Sequence, residues 1–168
     1  MKKLMGLIAL FVFAAVMSYA AEQTTTTGEG TAKAKIIQAA KIEEAASSAL
    51  DFGTIVADTD GGTVTVTAAA SPSRTSDGVN TVGNGFQADH FVMSNLDIGT
   101  TYDLSVPGSV TITRQGGSET MTVVPALSTG SVTAAAETAD VYVGGQLTVG
   151  GNQKAGNYQG TYAVTVTY

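Results

Sequence analysis

The chain has 168 residues, eight basic and fourteen acidic side chains, and a formal charge of −6 at pH 7. Such a surface repels nucleic acid and anionic lipid, so neither is expected as a partner. There is no cysteine, no tryptophan and a single histidine, which excludes a disulfide scaffold and a thiol nucleophile.

Lys2 and Lys3 precede an apolar run from Leu4 to Met17, and Ser18-Tyr19-Ala20 follows. A charged n-region, an h-region and a small-x-small site predict a secretory signal peptide over residues 1–20, cut after Ala20. The run is short for a membrane span, so no stable membrane insertion is expected. A type IV pilin leader would need a glutamate five positions after its cleavage glycine; counted from Gly6, that position is Phe11.

Residues 21–30 are polar and predict a flexible leader. Alternation begins at Thr31. Ala32, Ala34 and Ile36 share one face, and Lys33 and Lys35 the other. From Ala39 to Leu50 the residues favour a helix by propensity, and helix or strand stays open there. Beyond this the chain reads as strands: Leu50 to Val56, Thr63 to Thr67, Phe86 to Met93 and Tyr102 to Val106. Val110 to Arg114 and Glu119 to Val124 form a hairpin around Gly116-Gly117. Ser131 to Ala135, Asp140 to Val143 and Gln146 to Val149 are shorter. Ser71 to Gly85 reads as a loop with Pro72, Gly78, Gly83 and Gly85. The run Tyr158 to Tyr168 closes the series as one expected terminal strand, with Tyr162, Val164, Val166 and Tyr168 on one face and Gly160 near its start. About eight to ten short strands with glycine-rich turns indicate an all-β sandwich formed by residues 31–168.

No residue set for catalysis stands out, and no cofactor or metal is expected. His90 lies next to Asp89, on the opposite face of any strand, and no nucleophile accompanies it. Asp58-x-Asp60-Gly61 opens like a calcium loop, but Gly62 and Ala69 occupy positions that need ligands, and a turn is the plainer reading. The other acidic residues read as single solvated charges. What remains is the backbone: an exposed strand edge is a row of unpaired N–H and C=O groups that can capture another strand. Pattern alone leaves open that both end segments are ordinary strands of one closed domain.

Several motifs add to this. Leu50-Asp-Phe-Gly53, Gly62-Thr-Val-Thr-Val66, Phe91-x-Met93, Tyr102 to Pro107, and Gly116-Gly117 before Thr120 to Val123 occur in order. Val143 to Tyr168 then follows the pattern V-G-(G/A)-x-L-x-V-x-x-x-Q-x-x-G-x-Y-x-G-x-(Y/F)-x-V-T-V-x-Y. Over Thr31 to Tyr168 the chain resembles the bacterial family called domain of unknown function 4402, which is similar to the pilin-like subunits of alternative or archaic chaperone–usher fimbriae.

That resemblance implies an immunoglobulin-like, pilin-like sandwich lacking one strand and completed by a neighbour's N-terminal segment. Here the implied donor is residues 31–42, with Ala32, Ala34, Ile36, Ala40 and Ile42 facing inward. Gly160, Tyr162, Val164, Val166 and Tyr168 would form the final strand, which lines the acceptor groove and meets a chaperone. The implied partners are other copies or co-subunits, a periplasmic chaperone and an usher, and the implied location is a bacterial surface fimbria. A small outer-membrane β-barrel and a monomeric secreted binding module are the rival expectations. Aromatic residues make up only 7% of the chain, few for the two girdles of a barrel.

Overall fold

The computed structural model describes residues 24–168, so the expected signal peptide lies outside the described residues. Residues 24–35 belong to one unit, Met1–Lys35; they are exposed and carry no regular secondary structure. The second unit, Ile36–Tyr168, holds the fold. The described residues form strands and no helix.

The strands are β1 (Lys41–Glu44), β2 (Thr54–Val56), β3 (Gly62–Val66), β4 (Arg74–Asp77), β5 (Asn80–Val82), β6 (Asp89–Ser94), β7 (Thr101–Ser105), β8 (Val110–Arg114), β9 (Thr120–Leu127), β10 (Ser131–Thr133), β11 (Ala139–Val149), β12 (Tyr158–Gln159) and β13 (Thr165–Thr167). The main sheet runs β1-β6-β11-β9-β8-β12, with β3 also paired to β11 and β4 to β3. Two smaller sheets, β10-β7-β13 and β2-β5, complete the sandwich. All named pairings are antiparallel, so short connections suffice.

The core divides into two clusters. Phe52, Val64, Val66, Val123, Leu147 and Val149 anchor the first. Met93, Leu96, Tyr102, Leu104 and Val141 anchor the second. The alternating strands supply them in the expected way: in β7, Tyr102 and Leu104 are buried between exposed Thr101, Asp103 and Ser105.

One open question is answered here and three expectations are corrected. In the stretch 39–50 the regular part is strand, because Lys41 to Glu44 pair with Ser94 to Phe91 and Ile42 packs on the second cluster. Pairing and burial outweigh a preference worth tenths of a kcal/mol per residue. The stretch Leu50 to Val56 is a strand only from Thr54; Gly53 has φ +74° and bends the chain before it. Asp140 to Val143 and Gln146 to Val149 are one strand, β11, which pairs with β6 through Val143 and with β3 from Gly145. Gly144 lies at the handover, where the Val66 carbonyl leaves no room for a side chain. The expected loop 71–85 contains β4 and β5. Their sequences, R-T-S-D and N-T-V, carry no apolar alternation, and Arg74 ties the region down from outside the pattern. Its Nη1 donates to the Phe52 carbonyl at 3.0 Å, its Nη2 donates to that of Gly83 at 2.6 Å, and its guanidinium lies 4.8 Å from the Phe86 ring centroid.

Candidate functional site

The first core cluster is open on one side. A groove of about 970 Å³ lies over it. Its floor is the inward face of the main sheet: Val110 and Ile112 from β8, Met121 and Val123 from β9, Leu147 and Val149 from β11. One wall is Leu50 to Ile55, leading into β2; the other is Gln153 to Tyr162, containing β12. Among the described residues β2 pairs only with β5, and β12 only with β8, so each is the last strand of its sheet. Two strand edges therefore border an apolar floor. Such a site suits one more extended segment, which would gain hydrogen bonds from an edge and bury side chains on the floor.

The sequence-predicted residues divide around this groove. Gly160 and Tyr162 line it. A Cβ at Gly160 would lie 2.6 Å from the Thr111 carbonyl oxygen, so only glycine lets this wall close against β8. The expected single terminal strand is instead two pieces in different sheets, because β12 pairs with β8 and β13 with β7. Exposure still alternates through the crossing: Tyr162, Val164 and Val166 are half-buried, and Thr161, Ala163, Thr165 and Thr167 are exposed. Val164 and Val166 pack on the second core cluster, away from the groove lining. Tyr168 is 58% exposed, with its ring 5.2 Å from that of Tyr102.

The proposed donor residues divide too. Ala32, Ala34 and Ile36 are exposed, Ile36 at 95%. Ala40 and Ile42 are half-buried against the second cluster of their own chain. The exposed stretch without regular secondary structure is thus 24–39.

A carboxylate pair stands where the groove meets β6, against the expectation of scattered single acids. Asp89 is 2% exposed. Its Oδ2 accepts a hydrogen bond from the Tyr162 hydroxyl at 2.6 Å, and its Oδ1 is buried without a hydrogen-bond partner. Glu44 on neighbouring β1 lines the same end. Desolvation and the Asp89 carboxylate raise its pKa above the ordinary carboxylate value. Desolvation, with Asp89 beside it, likewise holds the Tyr162 phenol far above its usual range. Sequence reasoning missed this pair because an inward carboxylate breaks no spacing rule, and its partners come from β1 and the C-terminal wall.

His90 faces the other side of β6. Its Nε2 lies 2.8 Å from Asp140 Oδ1, and its ring stacks on Tyr142 with centroids 4.8 Å apart. The imidazole is thus clamped between a carboxylate and a phenol ring. Among the described residues no group of three or more His, Asp or Glu side chains is arranged to hold a metal.

A third cluster braces the groove wall. Arg114 Nε donates to Glu119 Oε2 at 2.6 Å, and Lys154 Nζ donates to Glu119 Oε1 at 3.0 Å. The Arg114 hydrogen bond, with help from the backbone and Lys154, lowers the Glu119 pKa to about 2. A depressed carboxylate pKa contributes stability above the ordinary value of 4.5 and loses it as pH falls towards about 2. Glu119→Gln is therefore expected to lower the urea midpoint modestly at pH 6. The gap to wild type should close between pH 4.5 and 2, the window set by the two pKa values. A gap that stays constant with pH would mean the carboxylate charge does not matter here.

No curated protein matches this sequence. A protein-family match begins at Lys41, the first residue of β1, so the exposed stretch 24–39 lies outside it. It runs to Tyr168, and over residues 41–168 the chain belongs to the family described as domain of unknown function DUF4402.

Proposed function

We propose that the protein is a structural subunit of a bacterial surface fimbria, exported through the periplasm and joined to its neighbours by strand donation. The observation that carries it is the groove: an apolar floor made of core residues, bordered by two strands that each end a sheet. On this reading the sandwich is of the immunoglobulin-like, pilin-like kind with one strand missing. A neighbour's N-terminal segment fills the gap in the fibre, and a periplasmic chaperone fills it before an usher directs assembly. The exposed stretch 24–39, with Ala32, Ala34 and Ile36 alternating, is the segment offered for donation. Ile42 in β1 and Ala40 just before it stay packed on the second core cluster of their own chain. The main sheet runs in open order from β1 to β12, which favours a sandwich over a closed barrel.

A strand added along the three-residue edge of β2, Thr54–Val56, gains about three main-chain hydrogen bonds, each worth ~0.5–1.5 kcal/mol net. Burying Ile36 adds about 1.5–3 kcal/mol.

The test is a synthetic peptide, Thr31 to Ala39, titrated into the full secreted chain. A ligand that binds the native state must stabilise it, by about 2.7 kcal/mol at a hundred times its Kd. A rise in Tm that saturates with peptide, and is absent with a scrambled sequence, is expected. No rise at millimolar peptide would overturn strand donation by this segment.

A further inference from the structure

Two carboxyls meet at one end of the groove, and both line it. Glu44 shares the face of Ile42 in β1. It lies opposite Phe91 in register, diagonal to Asp89. The Glu44 and Asp89 side chains are hydrogen-bonded to each other. The Tyr162 hydroxyl donates to Asp89 Oδ2 at 2.6 Å, so Oδ1 is the oxygen left for Glu44. An ionised carboxylate has no donor. The contact is therefore a hydrogen bond only while one carboxyl carries a proton, and without that proton Oδ1 is buried and unpartnered. Glu44 is the exposed member of the pair, and Asp89 is 2% exposed. Desolvation, the Asp89 charge and this hydrogen bond all raise the Glu44 pKa, so Glu44 is the member that holds the proton.

The charged groups around the pair are engaged elsewhere or face away. In the groove lining, Asp51 Oδ1 accepts from the Gly53 amide at 2.7 Å, and Lys154 is 3.0 Å from Glu119. Lys41 and Glu43 take the other face of β1. His90, Asp140 and Tyr142 form their own cluster on the far side of β6 and β11. A shared proton is thus the means by which this end of the groove removes one of its two negative charges.

We infer that filling of this groove is proton-coupled: the Glu44–Asp89 pair admits an inserted strand while it shares a proton, and resists one when both carboxyls are ionised. This rests on the strand-donation reading and adds to it a regulation by pH. In the open groove, water screens Glu44. A strand laid over the lining displaces that water and leaves the pair in a medium of low dielectric, where two adjacent like charges repel far more strongly. The filled groove therefore holds the proton more tightly than the open one. A carboxyl whose pKa rises on binding gives full affinity below its value in the open groove. Affinity is then lost as pH rises towards the value in the filled groove. The loss begins above 4.5, the ordinary carboxyl value, because Glu44 is already raised before any strand enters.

The test is titration calorimetry of the Thr31–Ala39 peptide, with blocked ends, into the full secreted chain at pH 5 and pH 8. The peptide contains no acid and no histidine, so it brings no carboxyl or imidazole of its own. Wild type is expected to bind about tenfold more weakly at pH 8, the effect of one unit of pKa change on binding. Glu44→Gln puts an amide donor beside Asp89 at every pH. It should bind at pH 8 as wild type does at pH 5. His90→Gln, on the far side of β6, should keep the wild-type pH dependence. Melts without peptide give a second reading. Glu44→Gln should match wild type in Tm near pH 4.5 and exceed it at pH 8, because a raised carboxyl pKa contributes stability that is lost as pH rises. A Tm gap that does not change with pH overturns the shared proton. Equal wild-type affinity at the two pH values overturns the coupling and leaves strand donation standing, and so does a fall that Glu44→Gln shares. No peptide binding to either protein at either pH overturns both.

Discussion

Gly144→Ala is expected to prevent folding, although it adds only a methyl group. A Cβ at this position would run into the Val66 carbonyl, and would lie 2.5 Å from the Ala68 amide nitrogen and 2.6 Å from the Thr67 carbonyl carbon. All three are backbone atoms in or just after β3, so no side chain can swing aside. The glycine sits where β11 changes partners, from β6 at Val143 to β3 at Gly145. Relief requires separating β3 from β11, which would open the cluster containing Val64, Val66, Leu147 and Val149. A loss above about 4 kcal/mol is expected, the range reached by few point substitutions. Gly130→Ala, where a Cβ meets nothing within 4 Å, is the control and should leave the urea midpoint unchanged. Soluble yield and urea midpoints measure both. A Gly144→Ala protein within 1 kcal/mol of wild type would mean that β3 and β11 can part at little cost, contrary to the packing.

The same residue marks a limit of what a sequence exposes. A Gly-Gly pair between two apolar alternations reads as a turn, because glycine is the commonest breaker of a strand. Only the arrival of β3 makes it a crossing point within one strand. Where alternation carried apolar residues, the elements were legible: β3, β7 and the β8–β9 hairpin lie within a residue or so of their expected starts. β9 alone runs on, through Pro125 opposite Gly145. β4 and β5 were illegible because polar edge strands leave no periodic trace. The terminal run kept its alternation but not its unity, since one face can stay inward while the chain passes from one sheet to another. Gly160 and Tyr162, singled out on pattern and resemblance, line the groove. The wall from Leu50 to Ile55 was read as a strand and a family motif, not as a wall, and Asp89 as the polar neighbour of a histidine. A groove is the space left between segments that are distant in the chain, and no local spacing encodes it.

Ile36→Asp is expected to abolish assembly while leaving the isolated subunit as stable as wild type. Ile36 is 95% exposed, so its own chain makes little use of it. In a neighbour's groove it would sit on an apolar floor, where a carboxylate without a partner costs several kcal/mol. That corresponds to a loss of affinity of about a thousandfold for each 4 kcal/mol. Ile42→Asp makes the opposite comparison. Ile42 lies opposite Met93 in β1 and packs on the second core cluster, so the substitution should lower the subunit's own Tm. Truncation-scale losses of about 2–5 kcal/mol are typical for such positions. The pair therefore separates donation from folding six residues apart in one short segment. Thermal melts of the monomer report folding, and a ladder of non-covalent oligomers on unheated gels reports assembly. If Ile36→Asp lowered the monomer Tm as much as Ile42→Asp, Ile36 would belong to its own subunit's core. If it left the ladder intact, the face carrying Ala32, Ala34 and Ile36 would not be the one that enters the groove.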